Sequence, residues 1–153
     1  MAHNPNEDLE LRIDKFTFRF PTGLRFSEAG LWIRREGGLV RVGLSDFAQR
    51  RAGDIAFANL TPAGTVLGIG DEVASIETVK VNISLPSPVN GIVREVNSAL
   101  QDTPELINQD PYGNGWIALV GSEDLEAPLN GLLDAEMCVA LARRQAEAEL
   151  NPS

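Results

Sequence analysis

Short runs in which apolar and polar residues alternate dominate the first 120 residues of the chain. Phe16, Phe18 and Phe20 alternate with polar neighbours, and residues 81–85 show the same two-residue period. This period places every second side chain on one face of a β-strand. Turn sequences such as residues 37–38 separate the runs at short spacing, which favours a small barrel or sandwich. The predicted strands are residues 15–20, 32–33, 39–44, 55–60, 73–77, 81–85, 92–96 and 116–120.

Helical patterns are fewer. Residues 46–52 indicate a short helix that Gly53 ends, and Asp46 with Gln49 fits a capping pattern. Residues 97–106 fit either a short helix or a turn. From residue 125 onward apolar residues recur at helical spacing, which predicts a continuous C-terminal helix whose Ala-Glu end is solvated.

These patterns divide the chain into three segments. Residues 1–22 are an N-terminal extension with a frayed start over residues 1–10 and a candidate edge strand. Residues 23–124 hold the β domain, and residues 125–153 hold the C-terminal helix and tail. A total of 153 residues is enough for one domain with a substantial core.

Composition places the chain among cytoplasmic proteins. No apolar run approaches the length of a membrane span, and the acidic N-terminus does not fit a secretory signal. A single cysteine, Cys138, cannot form an internal disulfide. We therefore expect a cytoplasmic protein.

Charge is unevenly distributed along the chain. The net charge is -9; residues 1–51 have nine basic against seven acidic side chains, and residues 52–153 have four against fifteen. An acidic surface repels phosphate backbones, so we expect no nucleic-acid binding. The acidity either steers the protein toward basic surfaces of partner proteins or only keeps it soluble.

Residues that support catalysis are scarce. The only histidine is His3, near the N-terminus, so no histidine general base or zinc set is available. Cys138 lies among apolar residues and is expected to pack rather than react. Residues 68–70 resemble a phosphate loop but lack a following helix, so we interpret them as a turn. The sequence therefore argues against an enzyme and against a metal site.

Lys80 is the most distinctive candidate for chemistry. Two alternating strands meet beside it, and a hairpin tip projects its side chains away from the sheet. Among thirteen cationic residues only Lys15 and Lys80 are lysine, and an amine can be acylated whereas a guanidinium cannot. The residues alone leave open that Lys80 is an ordinary surface lysine.

The turns around this hairpin resemble those of lipoyl and biotinyl carrier domains. Gly64 lies sixteen residues before Lys80 and Gly91 eleven after it, both in turn sequences where glycine permits positive φ. Val79 and Val81 replace the methionines that flank biotinylated lysines, which favours lipoyl. The resemblance implies a mainly β fold, a flattened two-sheet hammerhead barrel with short helices and a C-terminal helix, and makes residues 23–124 a lipoyl-type domain.

Further segments are similar to the glycine cleavage system H protein family across residues 24–142. They are residues 42–49, 53–55, 97–100, 104–108, 110–116 and 133–136. The resemblance implies that a lipoate–protein ligase or octanoyl transferase acylates Lys80, with Glu77, Gly64 and Gly91 shaping the hairpin and serving in recognition. It also implies a lipoyl arm that carries an aminomethyl group between glycine decarboxylase, aminomethyltransferase and dihydrolipoamide dehydrogenase.

Three positions depart from the family pattern. Gly30 and Leu31 replace the family's usual histidine and glutamate, and Phe47 replaces a tyrosine or histidine. In the family those polar residues line the groove that shelters the loaded arm. Their loss leaves an alternative, an H-like lipoate-binding protein that serves a heterodisulfide-reductase-like system in sulfur oxidation.

Overall fold

The computed structural model describes residues 8–150, and eleven strands and five helices lie within this range. The strands are β1 (Asp8–Ile13), β2 (Phe16–Pro21), β3 (Arg25–Phe26), β4 (Leu31–Glu36), β5 (Leu39–Leu44), β6 (Ile55–Leu60), β7 (Val66–Leu67), β8 (Glu72–Thr78), β9 (Asn82–Pro86), β10 (Gly91–Val96) and β11 (Ala118–Gly121). The helices are α1 (Asp46–Ala52), α2 (Ala99–Asp102), α3 (Leu106–Gln109), α4 (Glu126–Asn130) and α5 (Ala135–Leu150). His3 lies outside the described residues.

Two antiparallel sheets enclose the main core. A six-stranded sheet has the order β3-β4-β5-β11-β10-β7, and a three-stranded sheet has the order β6-β8-β9. Val40, Val42 and Val120 from the first sheet share one buried cluster with Ile76 and Leu85 from the second. The predicted mainly β fold, built from two sheets with short helices and a C-terminal helix, is confirmed.

The N-terminal extension contributes more structure than one edge strand. β1 pairs with β2 in a separate two-stranded sheet, with Asp8 opposite Pro21 and Ile13 opposite Phe16. Because residues 8–10 already pair in this sheet, the prediction of a frayed start is wrong for them, and Leu11 beyond them is 1% exposed. Leu9, Leu11 and Ile13 alternate along β1 and pack in or against a second apolar cluster. The burial of these side chains stabilises the strand even though charged residues lie between them.

The second cluster joins this N-terminal hairpin to the C-terminal helix. Phe18 and Phe20 of β2 share it with Phe47 of α1 and with the α5 residues Cys138 and Ala142. Aromatic contacts contribute to it, with ring centroids 5.0 Å apart for Phe18 and Phe47. The proposed boundaries of residues 1–22, 23–124 and 125–153 remain a prediction.

The predicted continuous C-terminal helix is wrong between residues 131 and 134. There the chain is not helical, because Leu133 forms an isolated β-bridge with Phe26 through two backbone hydrogen bonds of 2.8 and 2.9 Å. Asp134 then begins α5 by accepting a hydrogen bond from the Met137 N–H at 2.8 Å. A strand contact and a new N-cap therefore interrupt an apolar pattern that would otherwise continue as a helix. No helix in the described part of the chain is long and apolar enough to cross a membrane.

Candidate cofactor-attachment site

Lys80 lies at the tip of the β8–β9 hairpin. The strands pair up to Glu77 and Asn82, and a loop of Val79, Lys80 and Val81 follows Thr78. Val79 is 96% exposed, and Lys80 is exposed as well. The amine of Lys80 is therefore presented on an arm that already projects from the sheet.

A threonine hydroxyl fixes the shape of this loop. Thr78 Oγ1 accepts hydrogen bonds from the N–H groups of Lys80 (3.2 Å) and Val81 (3.1 Å), and the Thr78 N–H donates to the Val81 carbonyl at 2.9 Å. Tight hairpins often use glycine or asparagine with positive φ. Here a side-chain acceptor takes the place of a backbone carbonyl, so Val79 and Lys80 are tolerated. The sequence contained Thr78 in the hairpin pattern, but sequence reasoning gave it no role.

Glu77 lies on the outward face of the three-stranded sheet, next to the tip. Its Oε1 accepts a hydrogen bond from Asn59 Nδ2 at 3.4 Å. Phe57 lies directly opposite Glu77 in the β6–β8 ladder and is 63% exposed. A carboxylate and an aromatic ring therefore lie together beside Lys80 on an accessible surface.

Gly64 and Gly91 lie away from the hairpin tip. Ile55 pairs with Thr78 at the tip end of the β6–β8 ladder, and Leu60 pairs with Ala74 at the other end, before Gly64. The five residue-to-residue steps from Ile55 to Leu60 span about 17 Å. The Gly64 N–H donates to the carbonyl of Val93 at 2.7 Å, and Val93 lies in β10, the strand that Gly91 begins. Both glycines therefore lie far from the tip, and their part in hairpin shape and enzyme recognition stays a prediction.

The two glycines are required for different reasons. Gly64 has φ +93°, and a Cβ there would have no atom within 4 Å. The φ of Gly91 is not in the left-handed region; instead a Cβ would lie 2.2 Å from the Gly121 carbonyl oxygen. Gly91 therefore permits the close approach of β10 to β11, and only Gly64 meets the expected positive φ.

A groove of about 530 Å³ lies beside the hairpin tip, and Val81, the residue after Lys80, is part of its lining. We call it the hairpin groove. Its apolar lining consists of Ala29, Leu44, Ala48, Ala52, Ile76, Val81, Ile83 and Leu85. Its polar lining consists of Arg51, Asn82 and Glu149. It follows that an apolar chain attached at Lys80 has an apolar surface beside its attachment point.

The three positions that depart from the family pattern hold no polar side chain near this groove. Gly30 has φ +97°, and a Cβ there would lie 2.7 Å from the Cβ of Ala48. Leu31 is fully buried in the main core, and Phe47 is buried against the N-terminal hairpin. Packing therefore explains all three residues, and none supplies a hydrogen-bonding group to the groove.

The segment of residues 106–116, which follows β10 and includes α3, holds both α1 and the start of β6. Asn108 Nδ2 donates to Gln49 Oε1 at 2.8 Å and to the Gly53 carbonyl at 3.0 Å. Its Oδ1 accepts from the N–H of Ile55, the first residue of β6, at 3.0 Å. Because β6 pairs with β8, this segment holds one side of the sheet that carries Lys80.

Tyr112 connects the same segment to the N-terminal hairpin. Its hydroxyl donates to the Arg19 carbonyl at 2.5 Å and accepts from the Asp46 N–H at 3.0 Å. Burial raises the pKa of Tyr112 well above its ordinary value. The phenol therefore stays protonated and acts as a structural donor.

Cys138 is buried, and the described carboxylates form no metal-binding group. Burial raises the pKa of the Cys138 thiol to about 12. The described residues contain no group of three or more His, Cys, Asp or Glu side chains that could hold a metal ion. Lys15, the other lysine, lies in the turn between β1 and β2 with its Nζ 5.8 Å from the Phe16 ring centroid.

Known proteins of one family are similar to this chain over most of its length. The family described as glycine cleavage H-protein matches residues 24–145. The chain is 43% identical over 117 residues to the glycine cleavage system H protein of Alteromonas mediterranea, covering 76% of this chain and 90% of the relative. It is 44% identical over 115 residues to that of Coprothermobacter proteolyticus, covering 74% of this chain and 90% of the relative.

A solved structure gives the same result. The fold resembles the crystal structure of a glycine cleavage system H protein from Mycobacterium marinum with a TM-score of 0.71 at 28% identity. The match covers 83% of this chain and 99% of that one. The match to the family spans the hairpin and the barrel, whereas the β1–β2 hairpin and the last turn of α5 lie outside residues 24–145.

Proposed function

The chain belongs to the glycine cleavage H-protein family, a family of lipoyl carriers, and we propose that its lipoyl group is attached to Lys80. The observation that carries this proposal is the position of Lys80 on an exposed loop beside the hairpin groove. Lys15 also lies in a hairpin turn, but Glu77 and the groove accompany only Lys80. A modifying enzyme thus finds at Lys80 both an accessible amine and a defined surface.

The modification is an acyl transfer to Nζ of Lys80. A lipoate–protein ligase or an octanoyl transferase would supply the activated acyl group, and the amine would displace its leaving group to form an amide. Glu77, with its carboxylate on the open face of β8, is the residue that we propose this enzyme recognises. Recognition of Gly64 and Gly91 would be indirect, through the far end of the barrel.

The hairpin groove fits the attached group. Its apolar lining suits the aliphatic part of a lipoyl chain, because burial of methylene groups from water is favourable. When bound, the lipoyl group supplies the disulfide and dithiol chemistry by which the cargo is taken up and released. The protein supplies a rigid hairpin, a sheltering groove and a surface for partner enzymes.

In this proposal the cargo is an aminomethyl group. The arm receives it at glycine decarboxylase, delivers it to aminomethyltransferase and is reoxidised by dihydrolipoamide dehydrogenase. Tethering holds the cargo at high effective concentration near each active site. The chain is then a cytoplasmic carrier subunit of a multienzyme system and not itself an enzyme.

A second candidate function is favoured by the apolar residues Gly30, Leu31 and Phe47. None of them gives the groove a hydrogen-bonding group for an amine. An H-like lipoate-binding protein would carry a sulfur compound to a heterodisulfide-reductase-like system and would not need that group. Both candidates share the lipoyl attachment at Lys80 and differ only in cargo.

The exchange of labelled bicarbonate into glycine separates the two cargoes. Lipoylated protein is incubated with glycine decarboxylase, glycine and labelled bicarbonate, and Lys80→Arg protein is the matched control. Incorporation of label that depends on the lipoylated wild type supports the aminomethyl cargo. Fully lipoylated protein that gives no more exchange than Lys80→Arg contradicts it and favours the sulfur cargo.

A further inference from the structure

Two charged residues line the hairpin groove within the described part of the chain, and they contact each other. Arg51 lies on α1 and Glu149 on the last turn of α5. Arg51 Nη2 donates to Glu149 Oε1, and Arg51 Nη1 donates to Gln145 Oε1 at 3.3 Å. The Arg51 guanidinium also lies over the Phe47 ring, 5.4 Å from its centroid. One wall of the groove is therefore polar, and Arg51 is fixed in it by contacts with Glu149, Gln145 and Phe47.

Elements outside the family match bring Glu149 to this wall. The family match ends at residue 145, and α5 continues to Leu150. Cys138, Ala142 and Ala146 recur every four residues and bury one face of α5 in the second cluster. That cluster includes β1 and β2, which lie before the family match. The N-terminal hairpin and the longer helix thus pack together, and their packing sets the position of Glu149.

Glu149 is 55% exposed at its side chain, so an aminomethyl group in this groove keeps part of its water and is stabilised further by a partner for its charge. A cation moved from water to an apolar surface is costly unless it is paired. Gly30, Leu31 and Phe47 cannot pair with it. A carboxylate accepts several hydrogen bonds, and Arg51 engages Glu149 at one oxygen, so the second oxygen is suited to accept from an ammonium group.

We propose that Glu149 determines cargo specificity by holding the amine of the aminomethyl group, and that Arg51 positions its carboxylate. This inference rests on the proposed aminomethyl function. Glu149 then does from the C-terminal side of the groove what the family's polar residues do elsewhere in it. Arg51 is a positioning residue that keeps the end of α5 against α1.

The spontaneous loss of the cargo tests this role without any partner enzyme. Full-length lipoylated protein is loaded by glycine decarboxylase with glycine and then separated from it. Water cleaves the carbon–sulfur bond of the loaded arm, which restores the thiol and releases formaldehyde and ammonia, and the ammonia is measured over time. Glu149→Gln is compared with Glu147→Gln, which removes the same charge from an exposed residue of α5 that does not line the groove.

We expect Glu149→Gln to release ammonia about two to five times faster than wild type, the size typical of an exposed ion pair. Glu147→Gln should match wild type. As a second readout, loading should shift the backbone amide resonances of residues 145–149 in wild type, whereas an octanoyl arm, which has no amine, should not. Equal release rates in all three proteins, or no resonance shift on loading, would overturn the role of Glu149. Failure of wild-type protein to load at all would instead overturn the aminomethyl function.

Discussion

Removal of the Thr78 hydroxyl is predicted to loosen the loop that presents Lys80. Thr78→Val keeps the branched shape and removes the hydroxyl, which accepts from the N–H groups of Lys80 (3.2 Å) and Val81 (3.1 Å) and donates to the Val81 carbonyl at 3.4 Å. Water can reach both N–H groups because the loop is exposed. The cost is therefore that of a net hydrogen bond and not of a buried unpaired donor, about 1 kcal/mol.

This magnitude sets what two assays should show. In urea unfolding, a loss of about 1 kcal/mol with a slope of about 2 kcal/mol/M lowers the midpoint by about 0.5 M at unchanged slope. A change of about 1 kcal/mol also lowers the population of the ordered loop by up to about fivefold. We therefore expect kcat/KM for lipoylation by the ligase to fall by up to about fivefold, because the enzyme meets the ordered loop less often.

Two control variants separate loop geometry from general stability. Thr78→Ser keeps the hydroxyl and should retain most of the wild-type lipoylation rate. Thr61→Val removes the hydroxyl that donates to the Glu72 carbonyl at 2.8 Å, at the opposite end of the ladder from Lys80. It should lose similar stability but be lipoylated normally. If Thr78→Val and Thr61→Val are lipoylated equally fast, the reasoning that connects the Thr78 hydroxyl to presentation of Lys80 is refuted.

Three further predictions concern the scaffold. In urea unfolding, Gly91→Ala should lower the free energy of unfolding by about 3 kcal/mol, because the new Cβ meets a backbone oxygen at 2.2 Å. Gly64→Ala should lower it by about 1 kcal/mol, because only its positive φ is unfavourable. Equal losses would contradict this distinction. Cys138, with a buried thiol whose pKa is raised to about 12, should react with a thiol reagent at pH 8 only as fast as the protein unfolds, and prompt labelling of the folded protein would count against this. Tyr112→Phe should lose about 2 kcal/mol in the same unfolding assay because it removes two hydrogen bonds from a buried phenol, and a loss below about 0.5 kcal/mol would show that those bonds are unimportant.

Local patterns predicted most of the barrel. The strands at residues 39–44, 55–60 and 92–96 match β5, β6 and β10 within one residue, because alternation directly reports a sheet with one buried face. The hairpin with Lys80 was predicted for the same reason. The predicted mainly β fold is confirmed, with two sheets around the main core, although strand order depends on pairings that a local pattern does not contain.

Tertiary contacts decided what the sequence could not predict. The sequence of β1 gave no strand prediction for residues 8–13, because charged residues separate Leu9, Leu11 and Ile13. Its apolar face can be identified only from the cluster that it forms with α5. Sequence spacing from Lys80 did not show that Gly64 and Gly91 lie far from the hairpin tip, because spacing along the chain does not give distance across a ladder. The end of α5 was expected to be a solvated continuation, and Glu149 joins the groove only because that helix packs on the N-terminal hairpin.

The mass of the intact protein, produced together with a lipoate–protein ligase and lipoate, tests the central claim most directly. The chain contains two lysines, Lys15 and Lys80, and both lie at hairpin turns. Lys15→Arg is therefore a matched control for Lys80→Arg. We predict one added lipoyl group on wild type and on Lys15→Arg, and none on Lys80→Arg. Modification that persists in Lys80→Arg, or that never occurs on wild type, would contradict the assignment of Lys80 as the lipoyl attachment site.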